Sequence, residues 1–446
     1  MTQPNPKVGM ISLGCPKNQV DAELMLAKLM EEGYELSDQI GGCDAVLINT
    51  CGFIDDAKRE AIDNILEVAE YKSAGLIGHI IVTGCMAERY HDDILDEFPE
   101  VDAVVDIGDD ENIARIVKEV VGETYIDRRV DKLLLPLNGD RILTTPSYWA
   151  YLKISEGCSN NCAFCAIPGI RGKFRSRAME DIVAEAKDLA ANGIKEIILI
   201  GQDTSLYGKD LYKKLMLPEL LNQLCDIEGL EWIRFLYTYP ERITDELLDT
   251  MAAQPKVCHY LDIPLQHANK KVLKTMHRVG GREEFEALVE RIRSKVPDMC
   301  IRTTVMAGFP GETEEEFNDL AEFVKAMKFD NLGCFAFSPE EGTKAADMPD
   351  QLEDDVKQHR AELIMEQQHN IVLENNQKHI GRVLKVLCDG FDEDASCYVG
   401  RSYMQVPEID GTVLFGALDE VLPGQFIDIE IIGADEYDLI GQAVEE

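Results

Sequence analysis

Short apolar runs alternate with longer amphipathic stretches along the first quarter of the chain. Apolar runs of this length are typical of buried strands, and apolar residues every three or four positions are typical of helices. We predict strands at 8–13, 45–48 and 79–82 and helices at 21–32, 55–70 and 110–121. Strands that alternate with helices form a parallel sheet with helices on its faces. A parallel α/β domain is therefore expected over 6–122.

The same alternation continues after a polar, proline-containing stretch at 123–146, which is interpreted as a linker. In the region 147–376 we predict six strands separated by helices, at 149–154, 196–200, 232–237, 259–263, 299–306 and 331–337. Repeated strand-then-helix units form barrels of the TIM type, and a complete barrel has eight of them. Six units therefore predict a partial, open barrel.

The composition changes after a charged helix near 349–376. In the region 377–446 we predict short strands separated by glycine-containing turns, at 383–387, 395–399, 412–414 and 426–432. Short strands with regular turns are typical of a small antiparallel barrel. The fold class is therefore α/β, with an N-terminal parallel sheet domain, a central partial barrel and a small antiparallel β-barrel at the end.

The chain of 446 residues is 45% hydrophobic, as globular proteins are, and it carries a formal net charge of −39. An acidic surface repels phosphate backbones and anionic lipids, so this charge disfavours general nucleic-acid or membrane binding and favours a basic partner. The first residues lack the pattern of a secretory signal. No apolar run approaches the roughly 18 residues of a membrane helix. We therefore expect a cytoplasmic protein.

Three of the thirteen cysteines stand together just after the first predicted strand of the central region: Cys158, Cys162 and Cys165. In a reducing compartment, metal binding explains grouped cysteines better than disulfides do. Three thiolates at this spacing can hold three corners of a cubane iron–sulfur cluster and leave the fourth iron open to a small molecule. Zinc is the alternative, but structural zinc takes four protein ligands, and no fourth Cys or His follows nearby.

A second set of cysteines is spread over the N-terminal region. Cys15, Cys51 and Cys85 each follow a predicted strand, and each stands beside a glycine. Because the carboxyl ends of neighbouring parallel strands meet at one edge of a sheet, the three thiols are expected to converge on a second cluster. The glycines allow close backbone approach to a bulky group. Coincidental burial of three separate thiols is the alternative.

Several motifs resemble those of the radical S-adenosylmethionine (SAM) methylthiotransferase family, in order along the whole chain. They are ISLGCPKNQVDAE (11–23), NTCGFIDDA (49–57), YLKISEGCSNNCAFCAIPGIRGKFRSR (151–177), YLDIPLQHAN (260–269), GFPGETEEEF (308–317) and FSPEEGTKAADMPDQ (337–351). The resemblance implies an N-terminal cluster domain, a radical SAM barrel and a C-terminal TRAM domain. It also implies an enzyme that inserts sulfur into an unactivated carbon–hydrogen bond.

Two branches of this family are relevant. One modifies tRNA adenosine, and the other modifies the β-carbon of an aspartate in the twelfth small-subunit ribosomal protein. Pro16 and the acidic pair Glu340 and Glu341 resemble the second branch. The region 377–446 has 4 Lys/Arg and 15 Asp/Glu, so it lacks the basic face that RNA binding needs. Modification of the ribosomal protein is the main hypothesis; a tRNA adenosine methylthiotransferase and a non-enzymatic iron–sulfur carrier or scaffold are the alternatives.

The resemblance also implies cofactors, partners and site residues. The cofactors are two [4Fe–4S] clusters and SAM, with two SAM molecules per turnover and a sulfur donor. The partners are the basic ribosomal protein, free or in the ribosome, and an electron donor such as flavodoxin or ferredoxin. No catalytic side chain is implied beyond the cluster ligands, because the cofactors carry the difficult steps. The residues expected at SAM are Phe164 near the adenine, Gln202 at the amino group, Arg302 at the carboxylate and Gln266 at the barrel mouth.

Phe164, His267 and a basic run after the central cysteines have two interpretations each. Phe164 is either a neighbour of the adenine or a core residue, and His267 is either a contact or a structural histidine. The basic run at 171–177 either meets an anionic substrate or the SAM carboxylate, or is a solvated loop; it contains Arg171, Lys173, Arg175 and Arg177.

Overall fold

The N-terminal region is a sheet of five strands in the computed structural model of the protein, which describes residues 6–444. In the sheet order β2-β1-β3-β4-β5, every neighbouring pair is parallel. The strands are β1 (Lys7–Ser12), β2 (Glu35–Ser37), β3 (Ala45–Thr50), β4 (His79–Gly84) and β5 (Ala103–Val104). The helices are α1 (Pro16–Glu31), α2 (Asp55–Ser73), α3 (Cys85–Arg89), α4 (His91–Glu97) and α5 (Ile113–Val121). The predicted parallel α/β domain is confirmed.

Two helices of this domain begin elsewhere than their periodicity predicts. Helix α1 begins at Pro16 rather than at residue 21, with Cys15 as its N-cap residue. Proline is well accommodated at the first helical position, because the N–H that it lacks would have no partner there. Helix α5 begins at Ile113 rather than at residue 110, because Ile107–Asn112 forms a 3-10 helix.

Six parallel strands form the central region, as predicted. They are β6 (Trp149–Lys153), β9 (Glu196–Ile200), β10 (Trp232–Phe235), β11 (Tyr260–Asp262), β12 (Cys300–Ala307) and β13 (Asn331–Ala336), and an antiparallel pair, β7 (Ser155–Glu156) and β8 (Arg175–Ser176), follows the first of them. The sheets β10-β9-β6 and β11-β12-β13 meet at a bridge between Ile233 and Val257. Within residues 6–444 no pairing joins β13 to β6. The barrel is therefore open, which confirms the predicted partial form.

Helices cover one face of these strands. They are α7 (Met179–Ala191), α8 (Leu217–Cys225), α9 (Asp245–Ala253), α10 (Lys270–Thr275), α11 (Arg282–Lys295), α12 (Glu314–Met327) and α13 (Asp354–Gln377), whereas the short helix α6 (Ile167–Arg171) contacts α3 of the N-terminal domain. A capping box fixes the start of α12: the Thr313 side chain accepts from the Glu316 N–H, and the Glu316 carboxylate accepts from the Thr313 N–H. No helix within the described residues is long and apolar enough to cross a bilayer.

The segment 123–146 is irregular apart from one 3-10 turn, Lys132–Leu134. Ion pairs and hydrogen bonds nevertheless anchor it to the domains on either side. Arg141 pairs with Glu23 of α1 at 3.1 Å and with Glu185 of α7 at 2.8 Å. Asp127 lies 2.8 Å from Nε2 of the buried His91 side chain. Because both flanking domains hold it, the segment is a fixed crossing between them.

The C-terminal region is a closed barrel of five strands in the order β14-β15-β16-β18-β17. The strands are β14 (Val383–Asp392), β15 (Cys397–Arg401), β16 (Val413–Gly416), β17 (Phe426–Asp435) and β18 (Asp438–Ala443). Four of the pairings are antiparallel and the β16–β18 pairing is parallel. Strand β18 was not predicted, because it follows β17 through a two-residue turn at Glu436 that carries no glycine.

This small barrel packs against the strand face of the central domain that carries no helices. Alternate residues of β6 point to opposite faces: Ala150 and Leu152 lie in the core with the helices, whereas Trp149 and Tyr151 lie in one apolar cluster with the C-terminal barrel. A buried carboxylate, Glu196, reinforces the contact by accepting from Arg234 of β10 at 3.0 Å and Arg401 of β15 at 2.7 Å. The C-terminal barrel is therefore docked rather than tethered.

Candidate functional site

The N-terminal cysteines lie at the carboxyl ends of three adjacent strands. Cys15 follows β1 and caps α1, Cys51 directly follows β3, and Cys85 begins α3 directly after β4. The three thiols are close enough for their charges to interact: a charge on Cys15 or Cys51 would raise the pKa of Cys85. The sheet topology thus brings together three side chains that lie far apart in sequence.

The neighbouring glycines let the turns approach one another. Gly14 and Gly84 both have a φ of +90°, a left-handed conformation that other residues rarely adopt. A Cβ atom on Gly14 would lie 2.6 Å from Cys51 Cβ, and one on Gly84 would lie 2.4 Å from the Thr50 carbonyl oxygen. The sequence interpretation placed a bulky group against these glycines; the crowding atoms in the structure belong to the next turn.

Asn18 on α1 joins two of these turns. Its side-chain amide donates to the Leu13 carbonyl at 2.7 Å and to the Thr50 carbonyl at 3.3 Å. The residue is 1% exposed, so these bonds are shielded from competing water. The turns that carry Cys15 and Cys51 are therefore fixed relative to each other.

The electrostatic surroundings of the three thiols differ. Burial acts to raise the pKa of the Cys15 thiol, but the charges of Lys17 and Arg171 outweigh it and lower this pKa. Burial raises the pKa of Cys85 to about 12, although the charge of Arg171 opposes the shift. Burial also raises the pKa of Cys51, against the charges of Arg171 and Lys17. Positive charge therefore acts toward the thiolate, the form in which cysteine binds metals, at all three positions and outweighs burial at Cys15 alone.

Arg171 is the residue of this site that the sequence analysis missed. It lies at the end of α6 in the central domain, yet its Nε–H donates to Cys85 Sγ at 3.2 Å and its Nη1 to Asp21 of α1 at 2.5 Å. Neither interpretation of the basic run describes this buried, paired side chain. A partner across a domain boundary leaves no local signal in the sequence.

A buried ion network continues from Arg171 toward the mouth of the barrel. The ammonium group of Lys153 pairs with both Asp21 and Glu156. Burial acts to raise the pKa of Glu156, but the charges of Lys153 and Arg171 lower it well below its usual range. Glu156 Oε1 in turn accepts from Gln202 Nε2 at 2.6 Å. Side chains of two domains thus form one connected polar network.

The central cysteines lie in the loop between β7 and α6. Cys158 is buried, and Cys162 and Cys165 are half-buried. Burial raises the pKa of Cys165 to about 12, with smaller contributions from charges on the other two thiols, so these three thiols also lie together. The loop is anchored at Ala163, whose N–H donates to the Met276 carbonyl at 2.9 Å and whose carbonyl accepts from the Ala345 N–H at 2.8 Å.

Two side chains that the sequence analysis did not single out approach Cys162. The Tyr239 hydroxyl lies 3.5 Å from Cys162 Sγ, and Arg278 Nη1 lies 3.9 Å from the same sulfur. The Arg278 guanidinium stacks on the Tyr239 ring, 4.1 Å from its centroid. Tyr239 follows the end of β10, which was the available signal, whereas Arg278 follows helix α10 and had none.

Gln202 and Gln266 lie beyond the ends of β9 and β11. Gln202 Oε1 is buried and has no hydrogen-bond partner among the described residues. An unpartnered buried acceptor is costly, so the site fits a ligand that donates a hydrogen bond, as an amino group does. Gln266 has a φ of +71°, and its backbone pairs with Thr304 and Met306 of β12 at 2.8 and 2.7 Å.

The remaining predicted SAM contacts have protein partners. Arg302 of β12 lies 3.2 Å from Asp262 and, through Nε, 3.4 Å from Asp410 of the C-terminal barrel. Its guanidinium would have to leave these carboxylates to meet another one. Phe164 is half-buried and packs against the core that the helices share with the strands. The roles of these two residues at SAM stay predictions.

His267 and the basic run have contacts that bear on their interpretations. The His267 ring is buried; its Nδ1 accepts from the Asn269 N–H at 2.9 Å, and its Nε2 lies 3.3 Å from Glu312 without a hydrogen bond to the described residues. Both interpretations of His267 stay predictions. Arg177 pairs with Glu185 at 2.7 Å, and Arg175 donates to backbone carbonyls of the crossing segment. Arg171 contacts the N-terminal domain, Arg175 contacts the crossing segment, and the Arg177 pair lies within the central domain, whereas Lys173 is exposed.

The two thiol sets suit clusters better than single ions. Among residues 6–444, no three His, Cys, Asp or Glu side chains are grouped to hold one metal ion. In a cubane cluster each cysteine binds its own iron, so three thiolates around a wider space are the appropriate donor set. Each set supplies such a group of sulfurs at a largely buried position.

Three family models match the chain in the order of its domains. The model of the radical SAM superfamily matches residues 152–324, and that of the TRAM domain matches residues 380–444. The model of Uncharacterized protein family UPF0004 matches residues 7–106. The matches agree with the three predicted regions, whose limits at 6–122, 147–376 and 377–446 stay predictions.

Relatives match nearly the whole chain. A protein of Thermoanaerobacter sp. (strain X514), named ribosomal protein uS12 methylthiotransferase RimO, is 48% identical over 98% of this chain and 99% of its own. A protein of Lachnoclostridium phytofermentans with the same name is 47% identical over 98% of this chain and 100% of its own. The chain belongs to the RimO family. It is a radical SAM methylthiotransferase, and its cofactors are [4Fe–4S] clusters and SAM.

A solved structure shows that the fold of this RimO-family chain is shared more widely. The radical SAM methyltransferase TsrM from Kitasatospora setae, solved with cobalamin and a [4Fe–4S] cluster, has a TM-score of 0.56 and 13% identity. The match covers 85% of this chain and 77% of TsrM. At this identity the likeness concerns the fold alone.

Proposed function

We propose that the enzyme transfers a methylthio group to the β-carbon of an aspartate in ribosomal protein uS12. The similarity to uS12 methylthiotransferases over 98% of the chain supports this substrate. The observation that carries the proposal is the convergence of two separate cysteine triplets in one polypeptide. One centre is needed to generate a radical and the other to supply sulfur, a combination that a plain electron carrier does not require.

Cys158, Cys162 and Cys165 are the proposed ligands of the cluster that binds SAM. Gln202 Oε1 would accept from the SAM amino group, and Gln266 would line the mouth of the barrel. When bound, this cluster supplies the electron that cleaves SAM, and the N-terminal cluster supplies a site for the sulfur that is installed. The protein orients the reactants and keeps water away from them.

Cys15, Cys51 and Cys85 are the proposed ligands of the N-terminal cluster. The fixed turns at Gly14 and Gly84 hold the three sulfurs at one edge of the sheet. Lys17 and Arg171 place two positive charges beside them, which offsets part of the cost of burying thiolates. Neither charged group needs to exchange a proton in this role.

The charge of the C-terminal barrel supports a protein substrate rather than tRNA. The region 377–446 has 15 Asp/Glu against 4 Lys/Arg, and one of those four, Arg401, is buried against Glu196 and Asp389. An acidic surface attracts a ribosomal protein, which is basic, and repels RNA. The reaction would take place in the cytoplasm, where ribosomal proteins are made, with flavodoxin or ferredoxin as electron donor and a separate sulfur donor.

Mass spectrometry of uS12 from a strain that lacks the gene tests the substrate. The peptide with the modified aspartate should lose the methylthio group, and the gene on a plasmid should restore it. Nucleoside analysis of tRNA from the same strain should show no change. Intact modification of uS12, with loss of a methylthio nucleoside from tRNA, would establish the other branch of the family instead.

Cysteine variants test the division of labour between the two sites. Replacing Cys158, Cys162 or Cys165 by Ala should abolish reductive cleavage of SAM by the reconstituted enzyme. Replacing Cys15, Cys51 or Cys85 by Ala should spare cleavage and abolish methylthio transfer to a uS12 peptide. Equal loss of SAM cleavage in both sets would contradict the assignment of separate roles.

A further inference from the structure

Arg171 connects the two cysteine sites. It ends the short helix that follows the central cysteine loop, and its guanidinium lies among residues of the N-terminal domain. Its Nε–H donates to Cys85 Sγ at 3.2 Å, its Nη1 to Asp21 at 2.5 Å and its Nη2 to Asn18 Oδ1 at 3.0 Å. The side chain is only 1% exposed. Each of its three nitrogens therefore has a defined partner.

We propose that Arg171 is a positioning residue of the N-terminal centre, which holds the Cys85 sulfur in place and raises the reduction potential of the cluster bound there. The inference rests on the proposed function, because it takes Cys15, Cys51 and Cys85 as cluster ligands. It adds a role for a residue that is not among the proposed SAM contacts.

The physical reason is the charge of the cluster in its two oxidation states. Reduction adds one negative charge, and a neighbouring guanidinium stabilises the reduced state more than the oxidised one. Hydrogen bonds to sulfur and net local charge are two of the factors that set the potential of iron–sulfur clusters. Burial strengthens the effect, because little solvent screens the interaction.

The contacts of Asp21 argue against a purely structural role. Lys153 also pairs with Asp21, so this carboxylate keeps a buried cationic partner when Arg171 is replaced. Asn18 keeps its bonds to the Leu13 and Thr50 carbonyls. Cys85 Sγ and Asn18 Oδ1 are the two acceptors for which the described residues show no donor other than Arg171. Because the Asn18 amide group still holds its turns, the loss that concerns the cluster should fall on the Cys85 sulfur.

Redox titration of a chain with a single cluster tests the proposal. The parent is the full-length protein with Cys158, Cys162 and Cys165 replaced by Ala, so that only the N-terminal centre binds iron. Arg171→Gln removes the charge, and Arg171→Lys keeps a charge without the directed fork of donors. Arg175→Gln is the matched control, because Arg175 lies in the same run but donates to the Leu133 and Leu135 carbonyls.

At the midpoint potential of the parent, Arg171→Gln should lower the ratio of reduced to oxidised cluster about tenfold, a shift of about 59 mV for one electron. Arg171→Lys should fall between this variant and the parent, and Arg175→Gln should match the parent. The ratio is followed by electron paramagnetic resonance, and iron content and circular dichroism are measured on each protein.

The outcomes separate the two levels of inference. A folded parent that binds no iron would refute the ligand assignment and with it this part of the proposed function. A parent that binds a cluster whose potential is unchanged in Arg171→Gln would overturn the role of Arg171 alone. If Arg171→Gln does not bind iron, the reduction potential of the cluster in Arg171→Lys is measured instead. A potential equal to that of the parent would then overturn the proposal.

Discussion

At the scale of single residues, two polar side chains, Gln202 and His91, have partners that come from other segments of the chain. Gln202 donates to Glu156 through Nε2, while its Oε1 is buried without a partner. His91 is buried between Asp106 at 2.7 Å and Asp127 at 2.8 Å. The first arrangement leaves a place for a ligand, and the second holds the crossing segment to the N-terminal domain.

Replacement of Gln202 by Leu should weaken SAM binding. A hydrogen bond to a charged group contributes about 1.5–3 kcal/mol, so the dissociation constant should rise roughly ten- to hundredfold. Equilibrium dialysis with SAM on the reconstituted enzyme measures the change. The control is Gln223→Ala, which removes a half-buried side chain on α8 that donates to Glu219; equal affinity in both variants would contradict the assigned role.

His91→Asn should destabilise the protein more at low pH than at high pH. Burial acts to lower the pKa of His91, but the hydrogen bonds to Asp106 and Asp127 outweigh it and raise this pKa above its ordinary 6.5. A raised pKa in the folded state stabilises the fold below the unfolded value, and this contribution is lost as pH rises through the folded value. We expect a loss of roughly 2 kcal/mol at about pH 6 and much less at about pH 9.

Denaturant midpoints of the wild type and His91→Asn at the two pH values measure this difference. A gap between the two proteins that is constant with pH, or that grows as pH rises, would contradict the assigned charge of the imidazole. The same comparison with Asp127→Asn removes one of the two carboxylate charges beside the imidazole and should reduce the pH dependence without abolishing it.

Sequence reasoning at this scale found the thiols but not the groups around them. Cysteine, glycine and strand ends have recognisable local patterns, so both triplets could be predicted. Arg171 and Lys153 could not, because a charged residue in a sequence is expected in solvent unless its partner is known. Their partners lie on α1, more than a hundred positions away in the chain.

At the scale of elements, the strand-to-helix turns decide where the cysteines stand. The apolar runs predicted β1, β3, β4 and all six central strands, because a buried parallel strand is marked by its own residues. The short elements α3, α6 and β5 were missed, because two to five residues show no periodicity. Two of these missed elements carry Cys85 and Arg171.

Gly84→Ala should destabilise the turn before Cys85 and reduce iron binding there. Its φ is +90°, and an added Cβ would lie 2.4 Å from the Thr50 carbonyl oxygen. Overpacking together with a left-handed backbone should cost roughly 3 kcal/mol. Denaturant midpoints and iron content per chain check this, and SAM cleavage should persist because the central triplet is untouched.

Gly75→Ala is the matched control for crowding. Gly75 also has a positive φ, +71°, but an added Cβ would meet nothing within 4 Å. This variant should lose only about 1 kcal/mol, the cost of the backbone conformation, and should keep its iron. Equal losses in the two variants would show that close packing of the turns is unimportant.

At the scale of the whole molecule, charged pairs fix the domains relative to one another. Glu340, after the last barrel strand, is 3% exposed and lies 3.0 Å from Lys58 and 3.1 Å from Arg89 of the N-terminal domain. The sequence analysis used Glu340 and Glu341 as a resemblance to one branch of the family. The structure adds a physical role for Glu340, which holds the N-terminal domain on the barrel.

Glu340→Gln should loosen this contact between the domains. SAM cleavage should then be coupled less tightly to methylthio transfer. Removing one partner of a buried ion pair costs about 3 kcal/mol, because the remaining charges are left uncompensated. The amount of methylthio product per SAM cleaved should fall, and limited proteolysis within 123–146 should become faster. Glu341→Gln is the control, because Arg89 donates to the backbone carbonyl of Glu341, which the substitution keeps; identical behaviour of both variants would contradict the role of the pair.

The docking of the C-terminal barrel on the central strands has a consequence for biosynthesis. Trp149, Tyr151 and Ile198 are covered by residues that the translating ribosome adds more than 180 positions later. Until then the nascent chain exposes a half-formed apolar surface, which invites aggregation. Chaperone binding to nascent chains should therefore persist until the last segment emerges, and a premature stop codon near its start should yield insoluble protein.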